Sequence, residues 1–257
     1  MGDLGDFGKF GLLRALCFNG DTDDSVPVSL GVVWYLVPDE RNSGDGRFIE
    51  YLTPSVKHQQ VFRACDPELY DALGRIVTWG AREVASIQDG DILPRDSCYY
   101  DVSLTFEGLH GVAVRGRSQR LKVRERWLAG ALRSTADCDV VFLDPDNGLE
   151  VATRADQPRG PKYAFFSELL PFVQREQSLV VYHHIGRRGS AKDQINDRMA
   201  QIEDELACRP FALLYHRGSA RVFFVLPAER HRDVLSSRAE GLLQTPWARH
   251  FELITPD

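Results

Sequence analysis

The chain predicts an α/β protein with a mostly parallel sheet and a C-terminal antiparallel hairpin. Three observations carry this. Short, largely apolar runs at 28–37, 140–143 and 179–182 end abruptly in polar turn residues, the pattern of strands buried on both faces. Helical segments alternate with those runs, as parallel strand connections require. Near the end, Phe211–His216 and Arg221–Leu226 flank the short turn Arg217–Ala220, which reads as a hairpin. The 257 residues read as one domain, 1–257, with 85–118 as a candidate irregular insertion.

In chain order, Phe7–Phe18 has helical apolar spacing and predicts an amphipathic helix after Gly2–Asp6. Lys9 falls in its first turn between Gly8 and Gly11, where a cation opposes the helix dipole. It is either solvated or facing a ligand. The acidic linker Asn19–Pro27 leads to the strand Val28–Val37 and then to the loop Pro38–Arg47. Gly44, Asp45, Gly46 and Arg47 in that loop would let backbone approach a ligand closely after a first strand. No Gly-x-Gly-x-x-Gly or phosphate-loop pattern is present, and a plain surface loop has the same composition.

Residues 61–84 predict a helix opened by Cys65-Asp66-Pro67-Glu68, with proline and acid where a helix start favours them. Asp89–Tyr100 reads as irregular, and Val102–Val114 as holding a short strand or two. Arg115–Arg133 is a strongly basic helical segment; such a run is a solvated helix face or a phosphate-contacting surface. Thr153–Lys162 reads as a mobile substrate-side loop carrying Arg154, Arg159 and Lys162. Further helices are expected at Ser167–Gln177, with Ser167 as N-cap, at Ser190–Cys208, and at Ala228–Leu243 before a Trp247-containing tail.

The net charge of −6 gives no general attraction to nucleic acid, so any such binding needs a local basic patch. Five scattered cysteines without Cys-x-x-Cys spacing suggest reduced thiols rather than a zinc site or a disulfide frame. No signal-peptide pattern and no membrane-length apolar run is seen, and a cytoplasmic location with no membrane partner is expected.

The stretch that carries chemistry is Asp139-Val-Val-Phe-Leu-Asp-Pro-Asp-Asn-Gly-Leu-Glu150. Asp144, Pro145, Asp146 and Asn147 stand past the carboxyl end of a buried strand, the edge where open α/β sheets bind ligands. His183 and His184 end the 179–182 strand and fall beside this loop if the two strands are neighbours.

These residues bear a resemblance. The layout is similar to that of class I S-adenosylmethionine-dependent methyltransferases, with a mostly parallel, doubly wound, Rossmann-like sheet and a C-terminal antiparallel hairpin. Asp144-Pro145-Asp146-Asn147 resembles the Asp-Pro-Pro-Tyr motif of amino-methyltransferases. Phe7-Gly-Lys-Phe-Gly-Leu-Leu13 resembles the lysine-bearing N-terminal helix of bacterial large-subunit ribosomal RNA adenine-N6 methyltransferases. The resemblance implies S-adenosylmethionine as cofactor, held by Gly44, Asp45, Gly46, Arg47 and Asp66. It implies a target amine oriented by Asp144 and the Pro145 carbonyl, with Lys9 and segment 115–133 on the phosphate of a nucleic acid or nucleotide-like substrate. Asp146-Asn147 replaces Pro-Tyr, so nothing at Asn147 can stack on a base.

Two other functions stay open. A metal-dependent hydrolase or nuclease would use Asp144, Asp146, Glu150 and His184 around magnesium or manganese, with His183 as ligand or base. A non-catalytic nucleic-acid-binding module would keep the fold without the chemistry.

Overall fold

A computed structural model describes residues 1–18, 27–38, 46–109, 114–186 and 189–256. Gly44 and Asp45 lie outside the described residues, as does the side chain of Arg115. The strands, in chain order, are β1 Leu30–Trp34, β2 Cys98–Tyr100, β3 Val140–Asp144, β4 Gly148–Leu149, β5 Tyr163–Ala164, β6 Ser178–His184, β7 Phe211–Tyr215, β8 Arg221–Leu226 and β9 Phe251–Ile254. Seven of them form one sheet in the order β2-β1-β3-β6-β8-β7-β9, and β4 pairs with β5 separately. The first four neighbours run parallel, β8 is antiparallel to both β6 and β7, and β9 is antiparallel to β7. Five of the seven strands therefore share one direction. Because the chain leaves β1 first for β2 on one side and then for β3 on the other, the topological switch point lies between β1 and β3.

The helices are α1 Leu4–Cys17, α2 Val56–His58, α3 Pro67–Trp79, α4 Ala85–Gln88, α5 Val114–Ser134, α6 Phe166–Val173, α7 Ala191–Leu206 and α8 Arg232–Leu242. Side chains of α1, α3 and α8 share one core with Trp34, Phe142, Tyr182 and Phe223. Those of α5, α6 and α7 share a second core, on the opposite sheet face, with Val33, Val141, Leu143 and Phe224. Alternate residues of each strand feed opposite cores, which is why Val140–Leu143 had to be apolar throughout. Among the described residues no helix is long and apolar enough to cross a membrane.

Helix α1 begins three residues before the expected Phe7. Asp3 and Asp6 form a reciprocal capping box, Asp3 Oδ1 accepting from the Asp6 N–H at 2.9 Å and Asp6 Oδ2 from the Asp3 N–H at 3.3 Å. Lys9 thus stands in the second turn, not the first. Gly5, Gly8 and Gly11 recur every three residues along one face of α1. A Cβ at these positions would overlap the Arg221 guanidinium, the Tyr215 ring and the Trp247 indole, respectively. Their bareness lets a buried helix lie against three large side chains.

Other expectations shift. Residues 85–118 include the edge strand β2, while 102–109 holds no strand. Leu104 N–H bonds the Leu36 carbonyl and Trp127 Nε1 the Val102 carbonyl, binding this stretch to the body of the protein. The tail after Trp247 adds β9 to the sheet. Helix α6 starts at Phe166, so Ser167 is not its cap; Glu168 Oε2 accepts the Phe165 N–H and Glu150 Oε1 the Phe166 N–H.

The α1 contact predicts a contrast in urea unfolding. Gly8→Ala places its Cβ 2.5 Å from the Tyr215 ring and should cost about 1–3 kcal/mol. Gly74→Ala, in α3, finds its nearest neighbour at 4.0 Å and should gain up to about 1 kcal/mol from helix propensity.

Candidate active site

At the switch point Trp34 of β1 and Asp144 of β3 are register partners, so their side chains share the α1 face of the sheet. Tyr182 of β6 follows Val181, the partner of Leu143, and continues the row. Lys9 reaches over this row from α1. Its Nζ lies 2.7 Å from Asp144 Oδ2, 3.3 Å from Asp6 Oδ1, 5.7 Å from the Trp34 ring and 6.0 Å from the Tyr182 ring. The three charged side chains are only 11–13% exposed.

Burial sets the electrostatics. It disfavours the Lys9 ammonium, but Asp144 and Asp6 outweigh it and hold the lysine above its ordinary range. Burial lifts the Asp144 carboxyl above its usual value, with Lys9 pulling it back. Asp6 also resists ionisation by burial, yet Lys9 and the N-terminal amine hold its carboxyl low. One ammonium therefore serves two carboxylates, and the fold depends on it. The expected contact of Lys9 with phosphate is corrected: its charge is committed to Asp144 and Asp6.

The loop after Asp144 is clamped by β6. Leu149 N–H donates to His183 Nδ1 at 3.0 Å, and His184 N–H donates to the Asn147 carbonyl at 3.3 Å. Gly148 between them has φ +106 and lies against His183, whose Cα would sit 2.6 Å from any Cβ there. Only glycine fits that position. Burial pushes the His183 imidazole down to about 3, with Arg198 and His184 adding to the effect. A neutral ring whose Nδ1 already accepts a bond carries its proton on Nε2. His183 thus holds the loop through Nδ1, which the Leu149 N–H occupies.

The metal set does not assemble. Asp144 faces Lys9, Asp146 pairs with Lys162 Nζ at 2.9 Å, Glu150 caps α6, and His184 Nδ1 lies 3.4 Å from the Tyr182 hydroxyl. Among the described residues no group of three His, Cys, Asp or Glu side chains is placed to hold an ion.

The expected cofactor residues diverge too. Asp66 caps α3 through the Leu69 N–H and pairs with Arg14 Nε at 2.6 Å, while Arg14 also bonds the Ile92 carbonyl. Arg14 lies further along α1 than Lys9, toward Cys17 and away from the Asp144 end. The Gly46 carbonyl accepts from Arg82, Arg47 stacks on Phe48, and the Phe48 carbonyl caps the Leu4 N–H at the start of α1. These bonds fasten the described end of the glycine loop to the helix that carries Lys9.

The basic segment is divided in function. Arg124 is buried, pairs with Glu168, and bonds the Gly160 and Tyr163 carbonyls. Arg120 is buried against the Asp156 carbonyl at 2.6 Å. Both organise the 154–164 loop and neither is a surface phosphate contact, whereas Arg117, Lys122, Arg126 and Arg133 are exposed. Sequence reasoning missed Asp6, Trp34 and Tyr182, and took Arg124 with the rest of the basic segment. Only Asp6 had a local sign, its place three residues before Lys9 on one helix face.

Comparison of the chain with protein-family models, curated proteins and solved structures finds no match.

Two outcomes follow from this geometry. Lys9→Met leaves two buried carboxylates without their counter-ion and should cost about 3–5 kcal/mol in chemical denaturation; Lys9→Met/Asp144→Asn should recover part of that. His183 takes up a proton in the unfolded chain below about pH 6.5 but resists it in the folded one down to about 3, so stability falls as pH drops through that window. His183→Asn, which keeps an acceptor near Nδ1, should flatten the fall by up to about 1.4 kcal/mol per pH unit. His231 and His250, also held low by burial, would leave a residual slope.

Proposed function

We propose that the protein is a methyltransferase-like enzyme that uses S-adenosylmethionine and acts on an amino group of a nucleic acid or nucleotide-like substrate. The observation that carries this reading is the Asp144 carboxylate, fixed by Lys9 at the carboxyl end of β3 beside the switch point and followed at once by Pro145. The sheet supports it: helices on both faces, four parallel neighbours, and β8 reversed between β6 and β7 agree with the doubly wound, Rossmann-like layout of the methyltransferases that the sequence resembles.

An amine becomes a better nucleophile when acceptors hold its N–H bonds and aim its lone pair. Asp144 and the Pro145 carbonyl are the acceptors in this reading. Lys9 counters the burial that lifts the Asp144 carboxyl and fixes one of its oxygens. The clamp from His183 and His184 holds the following residues, so the acceptors stand on a rigid frame.

S-adenosylmethionine would supply the methyl group. The Gly46 carbonyl accepts from Arg82 and Asp66 pairs with Arg14, while Arg47 stays exposed over Phe48.

Calorimetric titration with S-adenosylmethionine and S-adenosylhomocysteine, followed by transfer of labelled methyl to RNA, DNA and nucleotides, tests the reading. Binding is expected, and Asp144→Asn, if folded, should lower transfer by about 100-fold or more through loss of amine positioning. A folded protein that binds neither cofactor form overturns the proposal. Unchanged transfer by Asp144→Asn removes Asp144 from the mechanism.

A further inference from the structure

Arg117, Arg120 and Arg154 gather around one residue, Asp156. Arg154 Nη2 lies 2.9 Å from Asp156 Oδ2, and Arg117 Nε approaches the same oxygen at 4.0 Å. Arg120 bonds the Asp156 carbonyl from its buried position. Two guanidinium groups thus meet one carboxylate, with a third on the backbone beside it, in a protein whose overall charge is negative. Asp156 is buried, whereas the Arg117 and Arg154 side chains are 46% and 63% exposed. The acid anchors the two arginines from beneath and leaves much of their surface open.

The cluster is joined to the candidate site by short covalent and hydrogen-bonded links. Gly160 N–H bonds the Gln157 carbonyl and packs on the backbone of Ala155, so the loop from Arg154 to Lys162 is folded on itself. Its far end meets the Asp144 loop, where Asn147 N–H donates to the Lys162 carbonyl at 2.9 Å and Lys162 Nζ pairs with Asp146. Arg124 pins the same loop through the Gly160 and Tyr163 carbonyls. The exposed arginines stand on a fastened loop and on the first turn of α5, and Arg154 is eight residues before Lys162 in that loop.

We propose that Arg117 and Arg154 form a phosphate seat beside the candidate active site, binding a phosphate of the nucleotide-like substrate on which the proposed function rests. A planar guanidinium presents paired N–H donors that match two phosphate oxygens, and two such forks over one acid retain a positive surplus. The seat accounts for a basic surface at this spot. Lys9 is engaged by Asp144 and Asp6, and Lys162 by Asp146.

Fluorescence anisotropy with a short labelled single-stranded RNA, across a salt series, tests this. The wild type is compared with Arg117→Gln/Arg154→Gln and with Lys122→Gln/Arg126→Gln, a pair of exposed cations further along α5, after thermal melts show that all three are folded. The first pair should weaken binding by about 10-fold at low salt and reduce the salt slope by about 0.7, for the one phosphate no longer neutralised. The control pair should do distinctly less. Competition by a nucleoside monophosphate, absent in the Arg117→Gln/Arg154→Gln protein, would identify a free nucleotide as the source of the phosphate. Equal losses from the two pairs, no loss, or no binding of either probe overturns the seat. RNA binding without cofactor binding would keep the seat and remove methyl transfer; cofactor binding without either phosphate probe would do the reverse.

Discussion

The contact between Lys9 on α1 and Asp144 at the end of β3 joins the N-terminal helix to the centre of the sheet. Taking three charged groups out of water costs several kcal/mol for each ion, and pairing them at short range offsets that only when the geometry is good. Here the lysine lies at 2.7 Å from one carboxylate and 3.3 Å from another, with aromatic faces of Trp34 and Tyr182 beneath it. Apolar residues of the same size would fill the space with less penalty. What the ions add is position: α1 can slide along the sheet only by breaking them.

The remainder of the architecture serves the same placement. Three bare glycines bring α1 against Arg221, Tyr215 and Trp247, and the Asp3–Asp6 box sets where the helix begins, hence which face Lys9 occupies. The neighbouring β6 grips the loop after Asp144 through a histidine that burial keeps neutral. Asp144 is thereby fixed from above by a cation and from the side by a clamp, while its neighbours Asp146 and Glu150 are drawn away by Lys162 and by the start of α6. That divergence keeps these acids from forming a metal set.

Much of the frame was legible in the sequence, because burial on both faces imposes unbroken apolar runs. Val140–Leu143, Leu179–Tyr182 and the 211–226 hairpin could hardly be read otherwise. Cys98–Tyr100 and Phe251–Ile254 escaped notice because edge strands are short and half exposed, so they carry little pattern. At the site, position was legible and partnership was not. Asp144 could be placed at a strand end from its neighbours in the chain, but its lysine is 135 residues away. Asp66 was a ligand only by resemblance; acid before proline was read from the chain as a helix start, and Asp66 caps α3. In the basic segment, buried and exposed arginines share one composition; only the packing of Arg124 on Glu168 and of Arg120 on Asp156 separates them from Arg117.

Asp144 is proposed to act as a carboxylate, which its burial opposes and the Lys9 ammonium beside it favours. Carbon-13 carboxyl titration of Asp144, assigned by Asp144→Asn, measures this in the folded wild type and in Lys9→Met. A carboxylate at neutral pH in the wild type, with its titration moved clearly upward once the lysine is gone, is the predicted result. An Asp144 that is protonated at neutral pH in the wild type, or that titrates identically in both proteins, would contradict it.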